Sequence, residues 1–192
     1  MKQLRVNPKT NDVKTISTYA TVAHEGLTGH MYQYAYMYEN QTNNFRKAIA
    51  GCQAYSEGYA TYAQYECLKY LTDKIDEDVL QLYKEAELLN NSLTILIDIG
   101  IHYEGWRQSD VLDFLEDNGM VLDEESLAAL YKQLQANPAA FVPYYVGYEK
   151  IAQMKEEAQE TLGDNFDHKL FHEALLETGT APFDVVERHI DR

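Results

Sequence analysis

Ala23-His24-Glu25-Gly26-Leu27-Thr28-Gly29-His30, continued by Met31-Tyr32-Gln33, is the stretch on which the reading of this chain turns. A histidine beside a glutamate, followed after a short gap by a second histidine, is the raw material of a hydrolytic metal site. Neutral imidazoles hold the ion, and the carboxylate takes a proton from metal-bound water. In the ordinary zinc-peptidase helix the two histidines stand four apart and share a face. His24 and His30 stand six apart, which at about 100° per residue leaves them roughly 240° out of phase on an unbroken helix. Gly26 and Gly29 lie between them, and glycine weakens a helix interior while admitting unusual backbone angles. The spacing therefore predicts a helix that ends or kinks within 26–29 and resumes near His30, turning both imidazoles inward. Two structural histidines beside a helix break are the alternative reading of the same residues.

Outward from this break, helical periodicity dominates. Ile16 to Tyr38 reads as helix interrupted at the glycines, after a polar, turn-rich lead-in over residues 1–14 with room for short extended pieces. Gln41-Thr42-Asn43-Asn44 reads as a loop. Small and aromatic residues recur at helical spacing from Cys52 to Leu71, and the longest pattern runs from Asp76 to Tyr103. Gln108 or Ser109 and then Asp123 are expected to cap two shorter helices, closing near Asp117 and Gln135. Pro138 and Pro143 flank the entry to a helix that ends at Gly163, followed by helices over 167–177 and 183–190. The expected fold is all-α, a single helical domain over 1–192 built as a multi-helix array with a kinked site helix.

Composition narrows the function. With 16 basic against 31 acidic residues and a formal charge of −15, a nucleic-acid backbone or an anionic membrane surface is a poor partner. No apolar run is long enough for a transmembrane segment. Cys52 and Cys67, if on one helix, lie about 22 Å apart and cannot bridge each other. No C-x-x-C pair or cysteine–histidine cluster occurs, which removes a thiolate zinc site. A di-iron bundle would need Glu-x-x-His pairs, and none of the six histidines has a glutamate three residues before it.

Five motifs in order resemble one family. His24-Glu25-x-x-Thr28-Gly29-His30-x-x-Gln33, Ser56-Glu57-Gly58-Tyr59-Ala60-Thr61-Tyr62, Asp98-Ile99-Gly100-Ile101-His102 with Gly105-Trp106, Tyr144 with Gly147, and Leu162-Gly163-x-x-Phe166-Asp167 with Phe171-His172 are similar to the motifs of bacterial domain-of-unknown-function family 885. Its members are regarded as candidate zinc metallopeptidases. The resemblance implies a fold like the catalytic half of gluzincin-type helical metallopeptidases, one Zn2+ per chain, and His24, His30 and Glu57 as ligands, with Glu66 and Glu39 as rivals for the third. It implies Glu25 as general base, His102 and Tyr144 as groups that stabilise the oxyanion, and Tyr103 and Tyr145 at the substrate. Asp98 would orient a neighbour, and Trp106 would pack. His168 and His172 suit a metal pair by spacing but lack a third ligand, so they read as structural. Some positions depart from the family pattern: Thr28 stands for proline, Tyr59 for tryptophan, Asn91 and Thr94 for arginines, and Ala139-Ala140 for Gly-Gln.

Family members are several hundred residues longer, with these motifs in their C-terminal half. The chain is thus expected to be the C-terminal part of a longer protein whose N-terminal half walls the other side of a substrate cleft. The expected function is zinc-dependent hydrolysis of a peptide or small amide. A catalytically silent binding or scaffolding fragment is the alternative. Self-association through exposed apolar surface is also expected, as is a cell-envelope or extracytoplasmic location, with the cytoplasm left open.

Overall fold

A computed structural model describes residues 3–9, 12–41, 43–49 and 51–190. Every regular element among them is helical and no strand is present, so residues 3–9 are irregular rather than extended in a sheet. No helix among the described residues is long and apolar enough to cross a membrane. Backbone contacts gather the chain into two compact units, Met1–Glu85 with Pro143–Arg192, and Ala86–Val142.

In the first unit, α1 (Ile16–Glu25) starts at Thr15, whose hydroxyl accepts the Thr18 amide, and stops where expected. The Gly26 amide still donates to the Val22 carbonyl, and the Thr28 hydroxyl satisfies the Ala23 carbonyl at 2.8 Å. α2 (His30–Asn40) then begins at Gly29. A Cβ on Gly29 would sit 1.8 Å from the His24 carbonyl oxygen, so only glycine lets the chain double back this closely. A short α3 (Asn44–Ile49) follows, starting inside a stretch that reads as loop from its polar residues. The Asn43 side chain accepts the amides of Phe45 and Arg46, which is the capping that starts it.

α4 (Gln53–Glu66) is the buried centre of this unit, packed against α1 and α2. Tyr55, Tyr59, Tyr62 and Tyr65 are all buried on it, which is tolerable because a buried phenol finds a partner. The Tyr55 hydroxyl donates to the Leu175 carbonyl, and the Tyr62 hydroxyl stands 2.9 Å from His172 Nε2. Burial and the nearby Lys155 ammonium push His172 below the usual imidazole range, which leaves its ring neutral to accept that phenol. A 3-10 turn (Cys67–Leu71) ends the helix, and both cysteines are free. α8 (Val142–Leu162) meets α4 where two glycines face each other: a Cβ on Gly147 would be 2.0 Å from the Ala54 carbonyl oxygen and 2.8 Å from Gly58 Cα. α9 (His168–Glu177), capped by Asp167, packs on α2 and on α10 (Phe183–Ile190).

α5 (Glu77–Ile99) leads to the second unit and ends four residues short of the expected Tyr103, because Gly100–Glu104 widen into a π turn closed by Gly105 in the left-handed region. Trp106 folds back over Gly100, its ring filling the space a Cβ would take. The core here is Ile97, Ile101, Val111, Leu115, Leu127 and Leu134, each burial contributing about 1.5–3 kcal/mol. α6 (Gln108–Asp117) is capped one residue earlier than expected: the Arg107 amide donates to the Asp110 carboxylate at 2.7 Å, so neither Gln108 nor Ser109 caps it. Asp123 caps α7 (Glu124–Ala136) as its position predicts. The buried Asp98 carboxylate accepts the Ala139 amide at 2.9 Å, and Ala139 is held at φ 58°, in the left-handed region.

Two substitutions test this packing. Gly147→Ala should destabilise the protein by about 3 kcal/mol, since backbone rather than a flexible side chain occupies the space. Ala139→Gly should stabilise it by about 1 kcal/mol, the left-handed penalty of an L-residue less the extra freedom of glycine when unfolded. Urea unfolding of both variants beside the wild type measures each sign.

Candidate metal centre

The helix break and α4 bring three potential ligands to one point. Nε2 of His30 stands 3.2 Å from Oε2 of Glu57, and Nε2 of His24 stands 3.4 Å from the same oxygen. The two imidazoles meet edge to face with centroids 4.8 Å apart. This is the only group of three or more histidine, cysteine or acidic ligands among the described residues, its ligand atoms all within 4.8 Å of one another. The break re-phases the histidines, and α4 supplies the carboxylate. Glu66, a rival third ligand, is instead paired with Lys155 at 2.8 Å.

The far sides of both rings are also held. His24 Nδ1 lies 3.2 Å from the Gln64 side-chain oxygen, and His30 Nδ1 lies 3.3 Å from that of Gln33. An amide oxygen only accepts, so each Nδ1 carries a proton and each neutral ring presents its Nε2 lone pair to Glu57. Two lone pairs facing one carboxylate oxygen repel unless a proton or a cation lies among them. A proton at His30 is one answer: its bond to Glu57 outweighs burial and raises its pKa above the usual imidazole range. Burial alone would raise the Glu57 pKa, but the bonds to His24 and His30 win and pull it down to about 2.

A divalent cation is the other answer, and the residues fit it. Two imidazole nitrogens and one carboxylate oxygen are a common zinc set with a fourth position open. Ligand atoms on a zinc tetrahedron with bonds of about 2.0–2.1 Å are about 3.3 Å apart, close to the 3.2 and 3.4 Å that separate Glu57 from the two imidazoles.

Around this triad, Tyr144 on α8 stacks on the His24 ring at 6.1 Å and bonds through its hydroxyl to Glu57. Burial, then the charge of Glu57, raises its pKa, so the phenol stays protonated and able to donate. Glu25 is exposed at the end of α1, and its charge is felt at both His30 and Tyr144. Tyr34 stacks on the other imidazole at 6.0 Å. Three further sequence candidates have surroundings of their own. Tyr145, half-buried, lines a shallow surface hollow along α8 with Glu149 and Lys150. His102 belongs to the second unit, where its Nε2 lies 3.1 Å from the Leu134 carbonyl and 3.3 Å from Asp98. Tyr103 beside it is 87% exposed. Gln64 is the site residue that sequence reading does not single out. Its signal is its position seven residues after Glu57, two turns along the same face of α4.

The chain belongs to the family described as "Bacterial protein of unknown function (DUF885)", whose model matches residues 4–190. Two solved structures are similar to it. A predicted lipoprotein from Colwellia psychrerythraea shares 26% identity with a TM-score of 0.74, over 90% of this chain and 29% of that one. A predicted lipoprotein of unknown function from Shewanella oneidensis shares 23% identity and the same fold, TM-score 0.75, over 90% of this chain and 31% of that one. The chain thus spans about a third of the length of either. No curated protein matches the sequence.

Glu57→Gln should return the His30 pKa toward its ordinary value in metal-free protein, as read by NMR titration of the imidazole protons. The signs are opposite for the two partners. Raised His30 stabilises the fold fully below the ordinary imidazole range and loses that contribution as pH rises through its folded value. Depressed Glu57 stabilises it above the ordinary carboxylate range and loses that contribution as pH falls toward about 2. The variant should therefore flatten the stability–pH profile at both ends.

Proposed function

From this family membership and this triad we propose that the chain carries the catalytic centre of a zinc-dependent hydrolase, a metallopeptidase acting on a peptide or small amide. The observation that carries the reading is the convergence of both Nε2 atoms on one Glu57 oxygen, with both Nδ1 atoms already engaged. Zinc held there would supply Lewis acidity to a substrate carbonyl and to water. Glu25, next to a ligand yet exposed, accepts the proton of the attacking water and passes it to the leaving amine, so that amide and water become acid and amine. Tyr144, kept protonated, swings its hydroxyl from Glu57 to the developing oxyanion.

The similarity to two predicted lipoproteins supports a cell-envelope location. The fraction of their length that this chain spans favours a second reading as well: a binding or scaffolding fragment that turns over only when the rest of the protein supplies the other wall of the cleft.

Elemental analysis of chelator-free protein should find about one zinc per chain, lost in the His24→Ala/Glu57→Ala double variant. A folded wild type that refuses zinc would sink the centre. Glu25→Gln should keep the metal and lower kcat/KM on a peptide library by about 100-fold or more. Stoichiometric zinc without turnover in this chain, with turnover appearing in the full-length protein, would favour the fragment reading.

A further inference from the structure

The two glutamines behind the imidazoles are of a kind that packing alone does not explain. Gln33 is 2% exposed, and its Nε2 is a buried donor with no partner among the described residues. A leucine of similar size would fill the same space without that unpaired group. Gln64 lies on α4 and Gln33 on α2, so two different helices deliver the same chemical group to the same ring atom of each histidine. We propose that Gln33 and Gln64 are positioning residues for the metal centre: their side-chain oxygens fix His30 and His24 in the tautomer that carries its proton on Nδ1, and aim both Nε2 lone pairs at the cation. This rests on the zinc reading above.

The choice of an amide has a chemical consequence. A carboxylate behind an imidazole makes the ligand more basic and adds negative charge to the centre. A glutamine orients the ring equally well and adds none. With Glu57 as the single anionic ligand, a divalent ion keeps a net charge of 2 − 1 = +1 within the triad. The centre therefore retains more of its pull on a substrate carbonyl, at the expense of affinity for the ion. Replacing either glutamine by glutamate should tighten metal binding and weaken catalysis, whereas removing the acceptor oxygen should weaken both.

The test measures Zn2+ affinity by competition with a chromophoric chelator on the whole chain, beside the thermal midpoint of the metal-free form. Gln33→Leu and Gln64→Leu should each weaken Zn2+ by roughly 10–100-fold while the metal-free midpoint stays within a few degrees of wild type. Gln33→Glu and Gln64→Glu should bind at least as tightly as wild type, and the visible spectrum of their Co2+ forms should match it. Leucine variants that fold and bind Zn2+ as wild type does would overturn the positioning role while leaving the zinc centre standing. Glutamate variants as weak as the leucine ones would also overturn it, because the acceptor oxygen would then not be what matters; these variants decide the point if a leucine variant fails to fold. A wild type indistinguishable from His24→Ala in Zn2+ uptake would instead remove the centre itself, and this inference with it.

Discussion

Everything at the candidate centre depends on how closely the chain passes its own helix end. The backbone at Gly29 lies against the His24 carbonyl at a distance that excludes any side chain, and this contact converts a six-residue spacing into two convergent rings. A continuous helix would have pointed them apart by roughly 240°. The carbonyls exposed by the break are satisfied locally, by the Thr28 hydroxyl and the Met31 amide. The turn therefore leaves few polar groups unmatched, and α2 starts at once. Proline at position 28 is not needed for that geometry, because the hydroxyl of Thr28 holds the turn through the Ala23 carbonyl instead.

The second constraint is the narrowness of α4. Gly58 against Gly147 lets α8 approach to backbone contact one residue from Glu57, which is how Tyr144, three residues earlier on α8, comes to bond the same carboxylate. Its tyrosines serve the opposite need: they are large, and the buried hydroxyls of Tyr55 and Tyr62 end on a carbonyl and an imidazole. Glu57 is thus fixed from three sides, by two rings and a phenol, on the most buried helix of its unit.

Much of this was legible in the sequence, for identifiable reasons. The glycine pair and the histidine spacing announce the break, Asp123 and Asp167 announce their helices, and periodicity announces an all-α fold. The rest depended on tertiary contacts or on local chemistry that competes with periodicity. The π turn after Ile99 follows from Trp106 folding over Gly100, a contact invisible to a helical pattern. The early cap of α6 comes from Asp110 reaching backwards, and α3 from Asn43 capping inside a polar run. Gln64 is silent in the sequence because glutamine carries no metal-ligating signal, and only its phase relative to Glu57 on α4 marks it.

The distribution of the triad over three helices has a thermodynamic corollary. His24 and His30 are neighbours along the chain, but Glu57 reaches them across 27 residues and a separate helix. An unfolded chain offers the histidine pair and not the third ligand, so any affinity for a cation would be complete only in the native state. A cation held there acts as a reversible cross-link among α1, α2 and α4. Its binding free energy adds to folding by mass action, about 2.7 kcal/mol when free ion stands at 100 times its dissociation constant. The durability of this protein would then track the zinc supply of its compartment, and a strong chelator would shorten its lifetime before any substrate is involved.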